Sequence, residues 1–288
     1  MSQLKILKQR ITSISSITKI TSAMRVIAAT KLKKVKSQFI AAVQYSHALH
    51  QLLNVVVHNT YPIDYTTTFS YGFIDQAVTF TDNAVRNTRK ANLYIIIGAE
   101  KGLCGNFNTS ISKSLMRQLC DHDKVIVVGK KVFEILKLKH VDKILKCFNT
   151  SKDLYSLAAD ITKIIIDNHN YDNYYVCYNH FKNNLSQIAT IDSLFQIEAP
   201  VVPTKTPSIL DNSNLLEEVG AEYLIAKLYS LILDSKMSEE AMRMVSMDNA
   251  TQSAKKIIDE ITLMFHRKRQ TAITMELTEI IAGVEALK

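Results

Sequence analysis

Glycine and proline are the scarce residues of this 288-residue chain, with seven and four copies. Residues 1–61 contain neither, and residues 208–288 contain two glycines and no proline. An interior glycine costs a helix about 1 kcal/mol and a proline about 3 kcal/mol. Both ends are therefore open to very long helices, and the breaks are confined to the middle. Cysteine is scarce too. Cys104, Cys120, Cys147 and Cys177 show no C-x-x-C spacing, which excludes a disulfide framework and argues against a metal site; free thiols of a reducing compartment fit them. Apolar runs are short, Val55–Val57 and Leu93–Ile97 among them, far below the roughly 20 residues a bilayer demands. With 47% hydrophobic and 22% charged residues, the chain is not a disordered one either.

Acidic residues are missing from the whole of residues 1–63, which carry nine lysines and arginines. Residues 208–288 hold thirteen acidic against nine basic residues, and the net charge of the chain is +8. The two ends are thus rods of opposite sign. An acid-free basic segment can seek nucleic acid, an anionic membrane or an acidic protein surface, or it can be a solvated helix face. An organelle presequence is disfavoured, because the segment is richer in Lys than in Arg and its repeat runs past any cleavage point.

That repeat is a heptad. Leu4, Leu7, Ile11 and Ile14 keep a 3-4-3 spacing. The stripe continues through Ile17, Ile20, Met24 and Ile27, one position out of phase, and resumes at Leu32, Val35, Phe39 and Ala42. Leu49, Leu53 and Val56 complete it. The pattern predicts a helix packed lengthwise on another, with one phase slip. Some 57 residues at 1.5 Å each reach about 85 Å, too long to lie on a domain of this size. A looser stripe at the other end supplies the partner: Leu215, Val219, Tyr223, Leu228, Leu231, Met242, Val245, Ile257, Ile261 and Met264. If both helices leave the middle segment at one level, near residues 59 and 208, Met24 lies opposite Arg243 and Met1 opposite His266. The last twenty-two residues, Arg267–Lys288, then project with no partner in their own chain. This overhang is basic at its start and apolar on several sides (Ile273, Met275, Leu277, Ile280, Ile281, Val284, Leu287), so another protein must bury it.

The expected fold class is α/β: a long antiparallel coiled coil of N- and C-terminal helices (1–59 and 208–288) around a central Rossmann-like α/β domain (60–207). In that middle, Leu93–Ile97, Lys124–Val128, Tyr174–Phe181 and Gln187–Ile197 read as strands. Helices are expected over Ile111–Leu119, Lys131–Leu138 and Leu154–Asn168. Strands alternating with helices imply a mostly parallel sheet.

Catalytic patterns are wanting. Gly98, Gly102 and Gly105 are spaced G-x-x-x-G-x-x-G, neither the dinucleotide fingerprint nor the phosphate-cradling loop; a strand-to-helix turn with positive φ accounts for them. His47 and His50 lie three apart with no ligand set around them, Cys104 has no neighbouring base, and Asp121 and Asp123 flank His122 in an expected solvated turn. No catalytic, cofactor-binding or metal residue is assigned. Two rivals can still be framed. A nucleic-acid-binding coiled coil would interleave aromatics with its basic residues, and none lies between Lys5 and Lys36. A small α/β enzyme would need a nucleophile with its base, and none is evident.

Four stretches carry a resemblance: KILKQRITSISSITKITSAMRVIAATKLKKVK (5–36), KGLCGNFN (101–108), SEEAMRMVSMDNAT (238–251) and RQTAITMELTEIIAG (269–283). Together they resemble the gamma subunit of F-type ATP synthases. The family loop usually carries a further glycine where Asn106 stands here, and His266-Arg267-Lys268 is more basic than the family pattern. The resemblance implies a non-catalytic central rotor that couples proton-driven rotation of a membrane ring to ATP synthesis. Its implied partners are three alpha and three beta subunits, the epsilon and delta subunits and the membrane c-ring, with no cofactor and no nucleic acid. It implies a peripheral position on the cytoplasmic face of the bacterial inner membrane. By motif match it places Met24, Arg243, Arg269 and Gln270 in the rotor–beta coupling region.

Overall fold

The computed structural model describes residues 2–60, 91–150, 153–167, 171, 173–194 and 213–285. In chain order the elements are α1 (Ser2–Thr60), β1 (Leu93–Ile97), α2 (Phe107–Gln118), β2 (Lys124–Val128), α3 (Lys130–Lys137), β3 (Ile144–Phe148), α4 (Leu154–Asp167), β4 (Tyr174–Phe181), β5 (Gln187–Ser193) and α5 (Ser213–Glu285). Two compact units emerge, residues 31–242 and residues 1–30 with 243–288, so α1 and α5 each contribute to both.

Within residues 31–242 a five-stranded sheet runs β3-β2-β1-β4-β5. The first four strands are parallel and β5 turns back antiparallel on β4. One face (Leu93, Ile95, Ile97, Ile126, Val128, Val176) packs on α4 and on Leu224, Leu228 and Ile232 of α5. The other (Tyr94, Ile96, Val125, Val127, Cys177) packs on Ile111 and Leu115 of α2 and on Val132 and Leu136 of α3. Coverage of both faces is why β1 and β2 read as unbroken apolar runs. β3 was not expected from the sequence. It is a half-exposed edge strand, irregular between its pairings to Val125 and Ile126, and its Lys146 and Cys147 break the apolar pattern. The far part of the expected strand to Ile197 lies outside the described residues, as does the expected boundary at 207.

In the same unit α1 lies antiparallel on α5. Leu53 and Val56 pack with Val219 and Tyr223, while Leu32, Val35 and Phe39 pack with Met237 and Ala241. Glu222 of α5 accepts hydrogen bonds from Tyr45 of α1 (3.1 Å) and from Tyr155 of α4. That bond is the main reason the Tyr155 phenol is pushed up to about 12, since losing its proton would set two negative charges side by side.

In the other unit Thr21 of α1 meets Thr251 of α5 (2.7 Å) and Arg25 meets Asp248 (3.6 Å), again antiparallel. The seam therefore keeps a single phase through Leu4, Leu7, Ile11, Ile14, Thr18, Thr21 and Ala28, all half-buried or buried. The expected phase slip is absent. Small residues let the helices approach closely, and each threonine hydroxyl also reaches a carbonyl of its own helix, Thr18 to Ile14 and Thr21 to Thr18. The register differs from expectation as well. With Arg25 on Asp248, Met24 comes level with about residue 249, and Arg243 lies about six residues, roughly 9 Å, further along the axis. The end of α1 at Thr60 and the start of α5 at Ser213 do share one level in this register; α5 begins five residues later than the expected 208, and the pairing shifts accordingly.

Candidate functional site

Moving the seam onto Thr18, Thr21 and Ala28 turns the neighbouring apolar residues outward. Ile17, Ile20, Met24 and Ile27 are 52%, 56%, 37% and 53% exposed. Their 3-4-3 spacing makes a second stripe on α1, beside the seam and uncovered by α5. An apolar heptad stripe beside a satisfied seam is surface built for a further partner.

The same register shortens the unpartnered end of α5. The start of α1 comes level with about residue 271, leaving about fourteen described residues beyond it. Ile273, Met275, Leu277, Ile280, Ile281 and Val284 are all about half exposed or more. The end is apolar on several sides, as expected, but not on all. Thr271, Thr274 and Thr278 line the other side, and their hydroxyls donate to the carbonyls of Arg267, Gln270 and Thr274 at 2.8–3.0 Å. A shallow surface groove follows Arg267, Gln270, Thr271, Thr274, Met275, Thr278 and Glu279.

Of the four residues named from the resemblance, Met24 is exposed and Arg243 half-buried, about six residues, roughly 9 Å, apart along the axis. Arg269 and Gln270 are exposed and lie 26 residues beyond Arg243 on the same helix, roughly 39 Å along its axis. The outward Ile17, Ile20 and Ile27 were missed as surface residues. The signal was present in Ile14, Thr18, Thr21, Arg25, Ala28 and Leu32, which keep the heptad without a slip.

In an open parallel sheet, ligands bind outside the carboxyl ends of the strands where the connections diverge. Here that place is the crevice between β1 and β4, and α5 fills it. Ser235 donates to the Ile97 carbonyl (3.3 Å), and Asp234 takes the Phe181 amide (2.9 Å) and His180 Nδ1 (2.7 Å). Met242 packs on Ala99, Cys104 and Phe107 of the glycine-bearing loop. The glycines of that loop have mixed reasons. Gly105 has φ 59, as expected, but a Cβ on Gly98 would stand 2.1 Å from Val132 Cγ2, so Gly98 permits close helix–strand approach. The residue that takes positive φ between them is Leu103, at 65°. Asn106 sits at φ −88, where no glycine is needed. Asp123, expected in a solvated turn, is buried and accepts from the amides of Asn92 and Cys120.

The coiled coil has an outward apolar stripe, its own helix fills the crevice of the sheet, and comparison with known proteins gives the family. The family model for ATP synthase matches residues 3–287. The ATP synthase gamma chain of Rickettsia typhi is 34% identical, with all of both chains covered. This chain belongs to the ATP synthase gamma chain family. The gamma chain of Pelagibacter ubique is 31% identical, again over all of both chains. Among solved structures, the central stalk and c-ring structure of the Tetrahymena thermophila mitochondrial ATP synthase contains a similar chain. Its TM-score is 0.61, with 23% identity, 80% of this chain and 99% of that one covered. A chain of the Euglena gracilis mitochondrial ATP synthase gives 0.60 and 18%, covering 92% and 95%. Family membership leaves the nucleic-acid reading without support. Among the described residues no helix is long and apolar enough to cross a membrane.

Proposed function

We propose that the chain is the central rotor of its ATP synthase and carries no catalytic site of its own. It turns inside three alpha and three beta subunits, with its α/β part toward epsilon and the membrane c-ring, at the cytoplasmic face of a bacterial inner membrane. One observation carries this reading: α1 and α5 are already satisfied by one another along the seam, and still present apolar residues outward on both helices and on the unpartnered end of α5. Such a surface fits an enclosing collar. A shaft of this kind shows a different side to each of three identical neighbours, and by favouring one conformation over another it shifts which site is open. That needs stiffness and shape, not a nucleophile.

Met24 and Arg243 would act within about 9 Å of one another along the shaft, Arg269 and Gln270 roughly 39 Å beyond Arg243. Arginine suits the role because its charge is permanent and its donors are arranged to grip carboxylates. The test is a triple alanine variant of Arg243, Arg269 and Gln270 in the assembled enzyme. Loss of proton-coupled ATP synthesis with assembly retained is the expected result. Full synthesis would remove their role. Subunit stoichiometry of the purified complex checks the broader reading, which requires one copy per three alpha and three beta subunits.

A further inference from the structure

Apolar packing holds α5 against the sheet through Leu224, Leu228 and Ile232, but apolar contact has no direction and cannot by itself fix a helix against turning about its own axis. Directed bonds can. Three lie on one side of α5. Lys227 donates through Nζ to the Leu194 carbonyl just after β5 (2.7 Å), Asp234 receives the Phe181 amide and His180 Nδ1 at the end of β4, and Ser235 donates to Ile97 at the end of β1. Lys227 and Asp234 are seven residues apart, two turns on one stripe. Asp234 is only 3% exposed. Resting on the rotor reading above, we propose that Asp234 is the positioning residue that sets the angle of α5 against the sheet, so that torque delivered to the α/β unit enters α5 at this clasp.

The chemistry suits a part that must not slip. Turning α5 by one residue, about 100°, would carry the carboxylate away from both partners and leave it buried and unpaired. The other ionisable group near it, Asp192, is itself an acid that takes the Tyr178 hydroxyl (2.7 Å) and has no donor to give Asp234. The clasp is therefore closed at one setting and expensive at the rest.

The experiment compares wild type, D234A, D234N and H180A in the assembled enzyme in inverted membrane vesicles, measuring proton pumping per ATP hydrolysed. In D234N the amide oxygen still accepts from Phe181 and the amide NH2 still faces His180 Nδ1, so its ratio should match wild type. D234A should hydrolyse ATP while its pumping ratio falls several-fold. H180A should show a smaller fall in the same direction. Its side chain is half exposed, so it decides the matter if D234A fails to assemble. A merely structural role would lower the yield of complex and leave the ratio per complex unchanged in both variants, and that result overturns the proposal. A wild-type chain that assembles with alpha and beta yet supports no pumping would instead overturn the rotor reading beneath it.

Discussion

Replacing Ile17, Ile20, Met24 and Ile27 together by serine separates seam from surface. These side chains are outside the seam and stand at three i,i+3 or i,i+4 spacings along α1, worth about 0.2–0.5 kcal/mol each. The total cost to the helix pair is about 1 kcal/mol. Putting a carboxylate at Ala28, 1% exposed in the true seam, should cost several kcal/mol, because an unpaired charge would be buried between helices. On assembly the ranking reverses. Covering the remaining half of each apolar side chain is worth about 1 kcal/mol. The four together supply about 4 kcal/mol, close to a thousandfold in affinity, as an upper bound before the costs of association. The assays are thermal melting of the isolated chain by circular dichroism and titration of alpha–beta complex formation. Melting of the quadruple variant at the temperature of A28D, or assembly at wild-type affinity, would refute the placement of the stripe.

Three further outcomes follow from single contacts. Gly98→Ala should destabilise the α/β unit by about 2 kcal/mol or more in chemical denaturation, since its Cβ would meet Val132 Cγ2 at 2.1 Å and Cβ at 2.7 Å; V132A should restore only part of this, because the 2.7 Å approach persists. Thr21→Val and Thr251→Val should each cost under about 1 kcal/mol, and the double variant less than their sum, because the pair shares two hydroxyl protons among three acceptors. Burial is the main cause raising the Asp234 carboxyl above its usual range, with the Phe181 amide and His180 opposing it. A raised carboxyl makes the folded state dearer as pH climbs past the unfolded value, about 4, through the folded one. D234N should therefore gain stability relative to wild type across that window and hold a constant difference above it. A gap independent of pH would refute this assignment.

Much of the architecture could be read from residue order because it rests on local patterns. The glycine-free, proline-free ends became α1 and α5, and the apolar runs at Leu93 and Lys124 became central strands buried on both faces. What could not be read depended on partners distant in sequence. β3 carries a lysine and a cysteine because only one edge of it is paired, and that is invisible from Ile144–Phe148 alone. The coiled-coil register was misjudged because α5 begins at Ser213, not at residue 208, and nothing in the local pattern marks that start. The threonine seam was hidden by the stronger apolar signal beside it: hydrophobic periodicity locates a face that needs covering without saying which neighbour covers it. The four residues proposed for coupling were named from motifs, and the offset of Met24 from Arg243 emerged only with the observed register.

The threonines at the end of α5 carry one more implication. Each spends its only hydroxyl proton on its own helix, so what the threonines themselves present outward is mainly methyl groups. A neighbour creeping past them would have few donors to let go of and few to catch. That row is polar by residue type yet slippery in behaviour, as the point of a spindle should be.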